Sequence, residues 1–115
     1  MPGFECLFCR IVHKELPSQT VFENGEILAF KDINPQAPTH ILIVSKKHIQ
    51  GLSTVEEEDV PLLGQIQKVA KELARQADLD KGYRLVINNG RGAGQSVDHL
   101  HYHLLGGRRL TWPPG

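Results

Sequence analysis

The sequence predicts an α+β domain in which an antiparallel sheet carries one long helix on one face. Five short segments have the composition of strands, and one long helical pattern stands between the third and the fourth of them. This order favours an antiparallel sheet with its helix on one side. The 115 residues fit a single domain, which we assign to residues 1–115.

Turn signals and apolar runs define the individual elements. Asn24-Gly25 is a strong hairpin signal between the first two strands, and the third segment is rich in β-branched side chains. A short helix is predicted around residues 7–13, before Leu16-Pro17, since the residue before a proline avoids helical geometry. The predicted strands cover residues 20–23, 27–30, 40–44, 84–88 and 100–105.

The long helix is predicted near residues 57–78, with more than one possible start. Capping boxes begin at Ser53 and at Thr54, but either would place Pro61 inside the helix. Asp59 as the N-cap keeps this proline in the first turn, where its missing N–H is harmless. The apolar stripe that defines the helix consists of Leu62, Ile66, Val69, Ala70, Leu73 and Ala77.

Composition and charge exclude several classes of function. Thirteen basic and thirteen acidic side chains cancel, so that no net charge favours nucleic acid or an anionic membrane as a partner. No signal peptide is visible, and the apolar runs are too short to span a membrane, which favours the cytoplasm. A disulfide between Cys6 and Cys9 would constrain little, so this spacing indicates metal or redox chemistry.

Three of the six histidines fall within five residues, at positions 99, 101 and 103. They alternate with Leu100, Tyr102 and Leu104, so that a strand would send all three imidazoles to one face and the apolar set to the other. We expect the helix to cover the apolar face. A purely structural role is disfavoured because clustered imidazoles repel when protonated, and metal binding is the main alternative to catalysis.

A glycine-rich segment, residues 88–96, directly precedes these histidines. Its glycines would let backbone N–H groups approach an anion, and Ser96 adds a hydroxyl donor. Alone, such a segment is most often a mobile hairpin loop. Next to three histidines it is interpreted as a phosphate cradle beside a nucleophile.

The histidine segment carries a specific family resemblance. Residues 99–105 match the pattern His-φ-His-φ-His-φ-φ at every position, and from about residue 6 to the last residue the chain resembles the Hint branch of the histidine triad superfamily. Supporting segments are Ala29-Phe30-Lys31-Asp32-Ile33, Pro35-Gln36-Ala37-Pro38-Thr39-His40, Lys46-Lys47-His48-Ile49, Gly94-Gln95-Ser96-Val97, Gly106-Gly107-Arg108 and Trp112-Pro113-Pro114-Gly115.

The resemblance implies an activity and catalytic roles. Hint proteins hydrolyse purine nucleoside phosphoramidates and acyl nucleotidylates, and their two five-stranded sheets join into one continuous ten-stranded sheet in a homodimer. By this likeness His101 is the nucleophile and forms a covalent nucleotidyl-imidazole, with no metal required for catalysis. The carbonyl of His99 would fix its tautomer, His40 and His103 would donate to phosphate oxygens, and Ser96 would bind the phosphate or the leaving amine.

The resemblance also implies a pocket for conjugates of AMP or GMP. Asp32 would bind the ribose hydroxyls, although a turn-capping aspartate is the alternative. Trp112 would reach the partner's site, although it could instead be a packing anchor. The apolar slot for the base would comprise Leu7, Phe8, Ile11 and Ile33, which could equally be core, and the remaining nucleotide contacts would be Asn88, Gly94, Gln95, Ser96, His101 and His103.

A structural zinc site is the second implication. The likeness to bacterial members with the Cys6–Cys9 pair makes His48 and His99 the other two ligands, in a closed site that leaves His101 free. The alternative is two reduced cysteines in a small core.

Three departures and three rival functions accompany this hypothesis. Asp98 stands where an aromatic or apolar residue is usual, and Lys31 and Arg91 are charged neighbours of the expected site. The rivals are a dinucleoside-polyphosphate hydrolase, a hydrolase with three histidine ligands to a metal, and a nucleotide-binding module without turnover. Gly106-Gly107 and the Trp-Pro-Pro-Gly segment favour Hint, and no acidic residue is evident in the sequence as the base of a metal-dependent hydrolase.

Overall fold

The computed structural model describes residues 5–115 and confirms the predicted fold class. Five strands form one antiparallel sheet in the order β1-β2-β3-β5-β4. Each predicted strand is present, with boundaries that differ by at most one residue. The strands are β1 (Thr20–Glu23), β2 (Ile27–Lys31), β3 (Thr39–Ser45), β4 (Tyr83–Ile87) and β5 (His101–Gly106).

Two α-helices lie wholly within the described residues, α1 (Leu7–Val12) and α2 (Val60–Gln76). Asp59 is the N-cap of α2 and Pro61 lies in its first turn, as predicted, but the Asp59 side chain makes no capping hydrogen bond to this helix. Its carboxylate accepts instead from the Glu56 N–H, at 3.1 Å, and from Lys47 Nζ, at 2.6 Å. Residues 57–59, predicted as helix, form a separate 3₁₀ turn, and this carboxylate stabilises it.

The sheet has a different apolar cluster on each face. On one face, residues of β2, β3 and β5 pack with Ile66, Leu73 and the rest of the predicted stripe of α2. Leu100, Tyr102 and Leu104 belong to this cluster, so the expected apolar face is confirmed. The opposite face carries Phe8, Ile11, Leu28, Phe30, Leu42 and Val44, and it is here that the triad histidines project.

Strand pairing brings distant segments to the histidine face. β3 pairs with β5, which sets Leu42 opposite His103 and Val44 opposite His101. The segment between β4 and β5 holds a 3₁₀ turn, Arg91–Ala93, and leads directly into His99. Among residues 5–115, no helix is long and apolar enough to cross a membrane.

Candidate functional site

A main-chain carbonyl holds the neutral ring of His101 in a single tautomer. His101 is only 5% exposed, and its Nδ1 lies 2.6 Å from the carbonyl oxygen of His99. Because a carbonyl only accepts, the Nδ1 carries the proton and the Nε2 keeps its lone pair. Burial lowers the pKa of His101, opposed by the His99 hydrogen bond and by the Asp32 charge, so that the ring is neutral near pH 7 and its Nε2 can act as an acceptor or a nucleophile.

His40 and His103 form a hydrogen-bonded pair with defined tautomers. The Gln36 N–H donates to His40 Nδ1 at 3.0 Å, so neutral His40 carries its proton on Nε2. This Nε2–H lies 3.0 Å from His103 Nδ1, which therefore accepts and leaves the proton of His103 on its own Nε2. The pair thus presents an N–H donor beside His101, whose ring centroid is 5.0 Å from that of His103.

Asp32 adds a carboxylate to this pair, which corrects one argument from the sequence. Its Oδ2 lies 3.5 Å from His40 Nε2, so an acidic group does stand beside the histidines. Asp32, His40 and His103 place their donor atoms close enough together for a metal ion. The tautomer of His40 argues against one, because the Nε2 that would face the metal carries a proton while the Gln36 N–H occupies Nδ1.

The glycine-rich segment is ordered by one buried side chain. The Oε1 of Gln95 accepts from the Gly90 N–H at 2.8 Å, and its Nε2 donates to the carbonyls of Gln50 and Val97. The Gln95 amide is therefore already hydrogen-bonded to the protein's own main chain. Contact with a ligand would fall to the main chain of the glycine-rich segment. Ser96 beside it is exposed, and Asn88 is half-buried. Gly94 has a φ of +92°, a conformation that favours glycine.

The three charged residues that depart from the family pattern lie in two places. Arg91 donates to Asp98 at 3.0 Å and to the carbonyl of Gln95, so the two substitutions form one exposed pair across the glycine-rich segment. Lys31 shares its strand face with Ile27 and Ala29, which pack under α2. Its side chain therefore points away from the triad histidines, although Lys31 still lines a cleft that includes Asp32 and His40.

The residues expected around the base divide into two kinds. Phe8 and Ile11 are buried in the apolar cluster of the histidine face, whereas Leu7 is partly exposed and Ile33 is fully exposed. Asp32 caps a turn through its Oδ1, which accepts from the Asn34 N–H at 2.8 Å. The alternative role of Asp32 is thus present, and its Oδ2 remains directed at His40.

Four further side chains converge at the start of α1. The Nδ1 of His99 lies 3.2 Å from Cys6 Sγ, 3.5 Å from Cys9 Sγ and 3.2 Å from His48 Nδ1, and Cys9 Sγ lies 3.2 Å from His48 Nδ1. Tetrahedral zinc with ordinary bond lengths requires donor separations of about 3.3–3.8 Å. The observed separations of 3.2–3.5 Å lie at or slightly below the lower part of this range, which is close enough for a closed four-ligand metal site.

The protonation of His99 also fits a metal site. Its Nε2 donates to the carbonyl of Ser45 at 2.6 Å, which leaves the lone pair on Nδ1, facing the two thiols. Burial, together with the neighbouring imidazoles, lowers the pKa of His99 to about 4 against the Ser45 hydrogen bond, which raises it, so the ring is neutral at pH 7. Burial raises the pKa of the Cys9 thiol to about 12, so that an arriving metal ion must displace its proton.

Sequence reasoning missed the main-chain groups that order the site. The N–H of Gln36 and the carbonyl of Ser45 fix the tautomers of His40 and His99, and neither has a side-chain signature. Trp112 is 80% exposed in the single chain, so it does not act as a packing anchor there.

We predict that His103 stays neutral far below the ordinary titration range of histidine. Burial, then His101 and His40, lower its pKa to about 4, whereas Asp32 raises it. Between pH 6.5 and 4 the unfolded chain binds a proton that the folded chain does not, so folding stability falls as the pH falls through this window. Ring-carbon NMR titration checks the value, and Asp32→Asn should lower it further; a midpoint at or above 6.5 would contradict this electrostatic account.

Comparisons with known proteins agree with this geometry. The family model of the HIT domain matches residues 13–110. A 14 kDa zinc-binding protein of Zea mays is 52% identical over 111 residues, 95% of this chain and 87% of the maize protein. A HIT family hydrolase of Legionella pneumophila is 54% identical, with a TM-score of 0.95 over 96% of this chain and 100% of that one.

A more distant solved structure has the same fold. The histidine triad nucleotide-binding protein of Candida albicans is 35% identical, with a TM-score of 0.81, over 95% of this chain and 83% of that one. The family match covers most of the chain, and the identities extend over nearly all of it. The chain therefore belongs to the HIT domain family.

Proposed function

We propose that this protein is a purine nucleoside phosphoramidase of the Hint branch, which cleaves the P–N bond through a covalent nucleotidyl-histidine. The observation that carries the proposal is the neutral ring of His101, with its proton fixed on Nδ1 by the His99 carbonyl at 2.6 Å. This leaves Nε2 as an oriented nucleophile. Solved relatives described as a hydrolase and as a nucleotide-binding protein support the same class of chemistry.

The reaction proceeds in two displacements at phosphorus. In the first, His101 Nε2 forms a bond to phosphorus while the P–N bond to the leaving amine breaks, and the departing nitrogen takes up a proton from the solvent. In the second, water attacks phosphorus, the P–Nε2 bond breaks and the attacking water releases a proton to the solvent, so that His101 is regenerated and one water is consumed. The Nε2–H of His103 and the hydroxyl of Ser96 donate to phosphate oxygens, where negative charge develops. Aminoacyl and acyl adenylates react by the same route.

The nucleoside is bound through its ribose by Asp32 and through its base by apolar side chains. The carboxylate of Asp32 binds the ribose hydroxyls of an AMP or GMP conjugate. Leu7 and Ile33 supply exposed apolar surface for the base, backed by the buried Phe8 and Ile11. Asn88 and the main chain of Gly94 and Gln95 support the phosphate.

We expect His101→Ala to lower the turnover of an adenosine phosphoramidate about a thousandfold or more, because it removes the group that attacks phosphorus. His13→Ala is the matched control, since His13 is exposed after α1. Wild-type protein denatured early in turnover should carry the mass of one nucleotidyl group. Equal turnover by wild type and His101→Ala would overturn the nucleophile and favour a metal-activated water, whereas nucleotide binding without turnover would favour a binding module.

We further propose that Cys6, Cys9, His48 and His99 hold a structural zinc ion, which fixes α1 to the sheet. The donor set and its separations support zinc, and a maize relative is described as zinc-binding. All four positions are filled by the protein, so the ion binds no water or substrate. We also propose a cytoplasmic location, where both thiols stay reduced and available.

We predict one zinc ion per chain in protein purified without an affinity tag. Cys9→Ser should lose most of the metal and unfold at a lower temperature, because structural zinc contributes directly to folding stability. Asp32→Asn, in the other cluster of possible ligands, should keep the full zinc content. Elemental analysis decides between the clusters, and a metal that Asp32→Asn removes would contradict our assignment.

The third proposal is a homodimer with a continuous ten-stranded sheet. Strand β4 is an edge strand whose backbone can pair with a second copy, and its residues 84–87 are only half-buried in the single chain. Trp112, which is exposed, then reaches the partner's site and shapes the leaving-group side. Neither nucleic acid nor membrane is proposed as a partner.

We expect two inactive or impaired variants to complement each other in the dimer. In a heterodimer of His101→Ala with Trp112→Ala, one site combines an intact His101 with Trp112 of the partner subunit. After random reassortment about a quarter of all sites are complete, so turnover should recover to about that fraction. His101→Ala mixed with a chain carrying both changes is the control. No recovery in the first mixture would mean that Trp112 acts within its own chain.

A further inference from the structure

Phe8 stands between the thiol cluster and the nucleophile. Phe8 lies in the first turn of α1, between Cys6, the N-cap residue, and Cys9. Phe8 is only 4% exposed. Its ring meets His101 edge to face with centroids 4.9 Å apart, and it meets the His99 ring in the same way at 5.9 Å. One aromatic ring therefore touches both a cluster histidine and the nucleophile.

The His101 ring needs such a neighbour. Its hydrogen bond to the His99 carbonyl fixes the ring at a single atom, Nδ1, and the ring could still rock about that point. Phe8 packs against it at an interplanar angle of 82°, which blocks this motion. The direction of the Nε2 lone pair thus depends on the main-chain hydrogen bond and on the two rings packed beside it, with centroids at 4.9 Å for Phe8 and 5.0 Å for His103.

The cluster in turn holds Phe8. Helix α1 has only six residues, and a helix of this length is not stable by itself. Cys6 and Cys9 tie its first turn to His48 and His99 through contacts of 3.2–3.5 Å. Opening of the cluster would free the turn that carries Phe8, although Ile11 would still anchor the following turn in the apolar cluster.

We propose that Phe8 is a positioning residue for His101, and that the cluster of Cys6, Cys9, His48 and His99 determines where Phe8 stands. The proposal rests on the proposed function, in which His101 attacks phosphorus. It gives Phe8 a role in orienting His101 that is separate from its proposed role in binding the base. The contact with His101 exists whether or not a base is bound. The metal site then has a catalytic consequence without touching the substrate.

Substrates with and without a base separate the two tasks of Phe8. In Phe8→Leu, a positioning role lowers kcat about tenfold on both adenosine 5′-phosphoramidate and the abasic ribose 5-phosphoramidate, because small misplacement of a reacting atom is costly. A role in base binding alone raises KM for the adenosine substrate and leaves the abasic substrate unaffected. The second result would overturn the proposal.

Leu28→Val is the matched control for packing. Leu28 is fully buried in the same apolar cluster as Phe8, but it lies on β2, with β3 between it and His101. This variant should keep kcat within about twofold on both substrates, since it removes only one methylene group from a position that β3 separates from His101. A kcat loss in Leu28→Val equal to that in Phe8→Leu would show a general packing effect and overturn the proposal.

A double-mutant cycle tests the link to the cluster. Cys9→Ser should lower kcat by a factor similar to that of Phe8→Leu, and the two changes together should lower it no further, because both act on one contact. If Cys9→Ser does not fold, chelator-treated wild type compared with chelator-treated Phe8→Leu gives the same cycle. Multiplying losses would overturn the link.

A measurement without turnover keeps this proposal separate from the proposed function. In the intact zinc-loaded protein, the Nδ1–H proton of His101 should give a resolved NMR signal that exchanges slowly with water. Phe8→Leu and metal removal should each raise its exchange rate about tenfold or more, and Leu28→Val should not. If wild type turns over no phosphoramidate, the proposed reaction fails while this signal still decides the positioning role; an unchanged exchange rate in Phe8→Leu overturns it.

Discussion

The hydrogen bond from His101 Nδ1 to the carbonyl of His99 is the interaction on which the rest of the site depends. At 2.6 Å it determines which nitrogen of His101 carries the proton. Its acceptor belongs to the main chain, two residues earlier, so the start of β5 sets the tautomer without help from a neighbouring side chain. Burial keeps the ring neutral but cannot choose between its nitrogens, and this carbonyl makes the choice.

His99 connects two parts of the molecule that the sequence presents separately. Its ring donates a hydrogen bond to the Ser45 carbonyl and directs a lone pair toward Cys6 and Cys9. Its own carbonyl accepts the hydrogen bond from His101 Nδ1. The ring is completely buried and both of its nitrogens face defined groups. A displacement of His99 therefore changes both the thiol cluster and the hydrogen-bond acceptor of His101. For this reason the two sites cannot be treated as independent.

Local rules predicted the features that depend on one segment of chain. The alternation around His101 placed its imidazole on the face opposite α2, because the side chains of any strand alternate between its two faces. The contact between His40 and His103 needs the pairing of β3 with β5, which joins residues 63 apart in sequence and which no local pattern specifies. The hydrogen bond from Gln95 to the Gln50 carbonyl and the ion pair of Asp59 with Lys47 likewise depend on tertiary neighbours, so the sequence located these residues without these contacts.

The proton arrangement of the site is set by main-chain groups that cannot titrate. The Gln36 N–H fixes the proton of His40 on Nε2, and that proton fixes the tautomer of His103, whereas the His99 carbonyl fixes His101. Side-chain partners would change with pH, but amide and carbonyl groups do not. As long as burial keeps the imidazoles neutral, the lone pair of His101 and the N–H of His103 therefore stay where the backbone sets them, and the division between a lone pair on one ring and a donor on the other is a property of the fold.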